Sequence, residues 1–185
     1  AVQWLRDRLG VIGSAAETAE VLARTQGDAK GVYLVPAFAG LGAPHWDPDA
    51  RGLVTGMTLA TGRDELVTAT VASGAFQMRD LLDAMSEDGA RPERLRIDGG
   101  MVVNDAFCQL LADTLELPVE RPQLAELTAA GAAALAALGA GHYPGPEQVQ
   151  AQWRLDRAFE AQRSADQVGA ALAGWRRAVA LARST

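Results

Sequence analysis

RLRIDGGMVVNDAFCQLLADTL, residues 94–115, is the stretch whose reading decides the fold. Arg94 to Ile97 reads as a short strand, and Asp98-Gly99-Gly100 interrupts it. Asn104 is a good N-cap for a helix whose apolar face is Phe107, Leu110, Leu111, Thr114 and Leu115. Glycines at the carboxyl end of a strand let a ligand approach the backbone closely. The helix that follows offers free N–H groups and a positive dipole end. In open α/β sheets ligands bind at that end of the strands. A nucleotide over Gly99 and Gly100, hydrogen-bonded by Asn104, is one reading of the stretch. A tight strand-to-helix turn with an N-cap is the other. Neither G-x-G-x-x-G nor G-x-x-x-x-G-K-[ST] occurs, so the motif alone leaves both open.

Working outward, Val119-Glu120-Arg121 reads as a strand before Pro122. Thr128 is expected to cap a helix of small residues ending near Gly141. Upstream, Thr61-Gly-Arg-Asp64 resembles a capping box. It precedes a long helix with Val67, Val71, Ala75, Met78, Leu82 and Met85 on one face. Leu53–Leu59 alternates like a strand. The alternation of strand and helix from 53 to 141 predicts an α/β fold with helices on a sheet. Val32–Val35 predicts a buried strand, residues 1–12 a helix stopped by Gly10, and Glu17–Arg24 a short helix. A short helix is expected near Glu147–Trp153. Ser164 should open a last helix with Val168, Leu172, Trp175 and Val179 on one stripe. The Gly/Pro-rich loop PAFAGLGAPHWDPDARG (36–52) carries large apolar residues, so it is either a packed, specific loop or a functional one.

The chain has 185 residues, enough for one domain with a real core. With 17 Lys plus Arg against 23 Asp plus Glu, its net charge is −6. No basic run is present, which argues against nucleic acid and against an anionic membrane surface as partners. The longest Ala/Leu/Gly stretch is shorter than the ~20 residues that a membrane span needs. A single cysteine, Cys108, predicts a reducing, intracellular setting and no structural zinc. Cys108 reads as inert packing. Asp47, Asp49 and Arg51 are candidates for metal or phosphate, or for a solvated loop. His45 reads as a loop residue, and Arg176-Arg177 as a solvated helix face. The opening Ala1-Val2-Gln3-Trp4 looks like the middle of a helix, so a fragment is expected.

GVYLVPAFAGLGAPHWDPDARG (31–52), RIDGGMVVND (96–105) and VERPQLAELTAAGAAALAALGAG (119–141) together resemble the C-terminal domain of the glycerol kinases, in the FGGY family of carbohydrate kinases. AVQWLRD (1–7) and Gly174-Trp175-Arg176-Arg177-Ala178-Val179 resemble it too. The resemblance covers nearly the whole chain. It implies an actin/hexokinase-like (ribonuclease H-like) ATPase domain over 1–185, incomplete at its N-terminal strands, with the catalytic N-terminal domain absent. It implies ATP-dependent phosphorylation of glycerol to sn-glycerol 3-phosphate, with ATP and Mg2+, in the cytoplasm, by a homo-oligomer. By the resemblance, Gln3, Gly99, Gly100 and Asn104 bind nucleotide, while the catalytic base, the glycerol site and most Mg2+-organising groups lie upstream of residue 1. No catalytic residue and no metal ligand is expected in this chain, which should be inactive alone. Ala72 departs from the family's usual acid, implying the loss of a surface or helix-end contact. Two alternatives stay open: a fragment of another FGGY sugar or polyol kinase, and a non-catalytic nucleotide-binding or assembly remnant.

Overall fold

The computed structural model describes residues 1–90, 92–124 and 127–183. In chain order the elements are α1 (Val2–Asp7), α2 (Glu17–Thr25), β1 (Tyr33–Val35), β2 (Leu53–Thr55), α3 (Arg63–Glu87), β3 (Leu95–Arg96), α4 (Asp105–Leu115), β4 (Val119–Pro122), α5 (Leu127–Gly139), α6 (Pro146–Gln150), β5 (Leu155–Phe159) and α7 (Ala165–Arg183). Among the described residues the strands form two sheets, not one: β1–β2, and β3–β4–β5. β3 and β4 are parallel, with Leu95 opposite Val119, and α4 makes the crossover between them. β5 adds antiparallel to β4, with Phe159 opposite Val119.

The helices join these sheets. α3 is the central element, packed against α2, α4 and β1. Val71, Ala75 and Phe76 of α3 meet Leu110 and Leu111 of α4 and Trp175 and Val179 of α7 in the main core. Trp175 is 1% exposed, stacks on Phe76 at 5.4 Å, and donates its indole N–H to Asp80 at 2.7 Å. Burying a ring this large drives the docking of α7, and the indole bond avoids leaving a donor unpaired. A smaller cluster of Leu5, Ile12, Val21 and Val67 anchors α1 and the start of α3.

Several expectations shift. β2 stops at Thr55, well before Leu59, because Gly56 takes φ +81 and lies against the Gly31 carbonyl. α1 stops at Asp7. The N-cap of α3 is Gly62 rather than Thr61; Glu65 closes the box by accepting from the Gly62 N–H at 2.9 Å. Thr128 lies inside α5, which starts at Leu127, and α6 is shorter than expected. Ala72 is neither at the surface nor at a helix end: it is 4% exposed in the middle of α3. β5 is an element that the sequence reading did not contain. Ser164 opens α7 as expected, its hydroxyl accepting from Gln167 N–H at 3.3 Å while Gln167 reaches back to its amide.

Candidate functional site

β3 and β4 end side by side, and the turn 98–104 leaves their shared carboxyl end to enter α4. Two backbone bonds shape it: Val102 N–H to Gly99 O and Asn104 N–H to Met101 O, both 3.2 Å. Gly99 adopts φ +94, a conformation that costs a side-chain-bearing residue dearly. Gly100 is different. It is exposed, its φ is ordinary, and a Cβ placed on it would meet nothing within 4 Å. No protein contact requires glycine there.

Asn104 is 8% exposed and caps α4, its Oδ1 accepting from Phe107 N–H at 3.1 Å. Its Nδ2 donates to Thr18 Oγ1 at 3.3 Å, and Thr18 in turn donates to Ala15 O at 2.6 Å. The amide is thus oriented from both sides, and among the described residues one of its N–H groups has no hydrogen bond. The bond to Thr18 ties the start of α2 to the start of α4. α1 reaches the same region indirectly, because Leu5 packs on Val21 of α2. Gln3 stands exposed on α1, and no hydrogen bond among the described residues joins it to the turn. The fold therefore brings Gly99, Gly100 and Asn104 together in one turn and leaves Gln3 apart from them on α1.

Beneath the turn, the Val102 carbonyl accepts from Cys108 Sγ at 3.2 Å and from Arg121 Nη1 at 2.8 Å. Burial pushes the Cys108 thiol up from its ordinary range, as expected of inert packing. Thr18 and Arg121 are contributors that the sequence reading missed. The cue for Arg121 was present: it lies at the carboxyl end of the strand beside the turn.

The other candidates have structural employment. Asp47 Oδ1 accepts from the amides of Asp49 and Ala50, both at 3.0 Å, closing its own loop. Arg51 donates to the carbonyls of Pro48, Asp49 and Ala50. His45 lies 3.4 Å from Asp80. Arg176 pairs with Asp83 at the surface. Among the described residues no group of three His, Cys, Asp or Glu side chains is arranged to hold a metal ion. No helix among them is long and apolar enough to cross a membrane.

A separate cleft of about 810 Å3 opens between α2, α4 and α7. Phe76, Leu110 and Ala171 contribute to its walls, and Asp113 lies at it, 3.6 Å from Arg163. Ala72 also lines it, so an acid at that position would occupy part of this space. It contains none of Gln3, Gly99, Gly100 or Asn104.

Residues 1–140 match the C-terminal domain of the FGGY family of carbohydrate kinases. The chain belongs to that family. Its sequence is 50% identical over 184 residues to glycerol kinase 1 of Pseudomonas aeruginosa, covering 100% of this chain and 37% of that protein. It is 53% identical over 184 residues to a glycerol kinase of Rhodospirillum centenum, again covering 100% and 37%. The crystal structure of Plasmodium falciparum glycerol kinase with ADP superposes with a TM-score of 0.86 at 31% identity, over 98% of this chain and 36% of that one. The fold is that of the C-terminal half of an FGGY kinase, the actin/hexokinase-like ATPase fold. The chain spans a little over a third of the length of the curated relatives it matches.

Proposed function

We propose that this chain supplies the ATP-binding part of a glycerol kinase, which transfers the γ-phosphoryl group of ATP to glycerol and yields sn-glycerol 3-phosphate. The observation that carries the reading is Gly100: a glycine with no conformational or packing need for being one, on the open side of a strand-to-helix turn. Close approach of a ligand to its backbone explains the choice. In this reading Asn104, and Gln3 on α1, also contact the nucleotide. Identity to glycerol kinases over the whole chain, and likeness to one solved with ADP, support the same reading.

The chain's own part is to bind and orient the nucleotide. Phosphoryl transfer depends on holding acceptor and donor in line while neutralising charge. In this reading the base for the glycerol hydroxyl and most of the Mg2+-organising groups come from the part of the kinase that this chain does not span. Mg2+ would arrive with the nucleotide phosphates. The chain alone is expected to be inactive. In this proposal the parent works in the cytoplasm as a homo-oligomer; Trp46, 77% exposed, and Leu59, fully exposed, are side chains that assembly would cover.

Calorimetric titration with Mg-ADP tests the site. Binding in about the micromolar range, roughly −8 kcal/mol, is expected. Gly100→Val should weaken it without lowering the melting temperature. A folded chain that gives no binding heat would sink the reading. Glycerol-dependent release of ADP by the purified chain would refute the inactivity.

A further inference from the structure

The turn has a fastener that the nucleotide reading does not use. Arg121 sits near the end of β4, its side chain 15% exposed. Its Nη1 donates to the Val102 carbonyl at 2.8 Å and to Asp105 Oδ1 at 2.7 Å. Its Nε and Nη2 both reach Asp156 Oδ2, at 2.8 and 2.7 Å. The guanidinium carbon also lies 5.5 Å from the centre of the Phe159 ring. Asp105 takes a further bond from Arg157.

Asp105 and Asp156 together carry more charge than Arg121, so attraction of phosphate is not its task. Its contacts are geometric. They fix the direction of the Val102 carbonyl, in the middle of the turn. The Val102 N–H holds Gly99 O, so the tilt of this segment is passed to the Gly99–Gly100 peptide. They also fix Asp105, the residue after Asn104 and the first of α4. One planar fork thus grips the turn at its centre and at its exit, while β5 supplies the anchor through Asp156. Lysine presents a single ammonium and cannot span these acceptors in one plane.

The geometry points to Arg121 as the positioning residue that sets the shape of the 98–104 turn and, through it, the affinity for a nucleoside diphosphate. The second half of this statement rests on the nucleotide site proposed above. It also gives β5 a purpose: the strand carries the far end of the clamp.

The test measures two quantities on the 185-residue chain, for wild type, Arg121→Lys and Arg121→Met. One is amide hydrogen exchange; the other is Mg-ADP titration. Both variants should exchange the amides of 99–104 about tenfold faster, with α3 and α7 unchanged, and bind Mg-ADP about tenfold more weakly. Unchanged exchange and binding in either folded variant overturns the inference. So does an acceleration spread evenly through α3, α4 and α7, because that marks general loss of stability. Should Arg121→Met fail to fold, Arg121→Lys decides. A wild-type chain that binds no Mg-ADP defeats the nucleotide reading and the affinity claim with it, while the exchange data still decide whether Arg121 shapes the turn.

Discussion

Gly56 and Gly100 are both loop glycines beside a short strand, and they are glycine for opposite reasons. At Gly56 a Cβ would sit 1.9 Å from the Gly31 carbonyl oxygen, and φ is +81. Backbone fills the space where a side chain would be. At Gly100 that space is open for 4 Å in every direction. The first glycine is explained entirely within the fold. The second has no such explanation within the fold, and the proposed nucleotide supplies one. The contrast separates glycines that build the scaffold from glycines that leave room on it.

The largest effect should come from testing that contrast directly. Gly56→Ala forces backbone against backbone at a positive φ, and should cost about 3 kcal/mol of stability. Gly100→Ala should stay within about 0.5 kcal/mol of wild type in denaturant melts. If both substitutions destabilise alike, Gly100 has a packing role and the contrast collapses. Next comes Asn104→Ala, which removes the cap of α4 and the buried bond to Thr18; a loss of about 2 kcal/mol is expected. For this reason nucleotide titration of Asn104→Ala cannot separate contact from folding, and Gly100 is the cleaner position. Thr18→Val should cost about 1 kcal/mol in the same melts, by leaving Asn104 Nδ2 without its partner.

The smallest effect is one of pH. The bond from Lys30, with the Gly62 amide, holds the Glu65 carboxyl at about 2, below its ordinary 4.5. A lowered folded value means the contribution is complete above pH 4.5 and fades as pH falls towards 2. Melting temperature followed across that window should fall more steeply in wild type than in Glu65→Gln. Parallel curves would remove Glu65 from the account of how α3 starts.

What was legible in the sequence was what is local. α4 and its Asn104 cap could be read because the cap and the apolar spacing lie within one segment. The long helix α3 was readable for the same reason. β5 was not, because four of its five residues are exposed and show no alternation to read. The separation into two sheets was hidden as well: the strand pattern predicts strands but not which of them pair. The same limit applies to the site. Gly99, Gly100 and Asn104 are neighbours in sequence and were found together. Thr18 lies 86 positions from Asn104, and no local pattern links a threonine in one helix to the cap of another. Thr61 looks like the capping residue of α3, yet the cap is Gly62, one residue on, because it is Glu65 that meets the Gly62 amide.

The chain's single thiol has a practical consequence. Cys108 is fully buried, one turn into α4, and bonded to the Val102 carbonyl. A thiol-modifying dye can reach it only when the entrance to α4 leaves its packing. Its labelling rate is therefore a clock, built into the natural sequence, for how often that entrance opens. Any occupant that steadies the entrance should make the clock run slower.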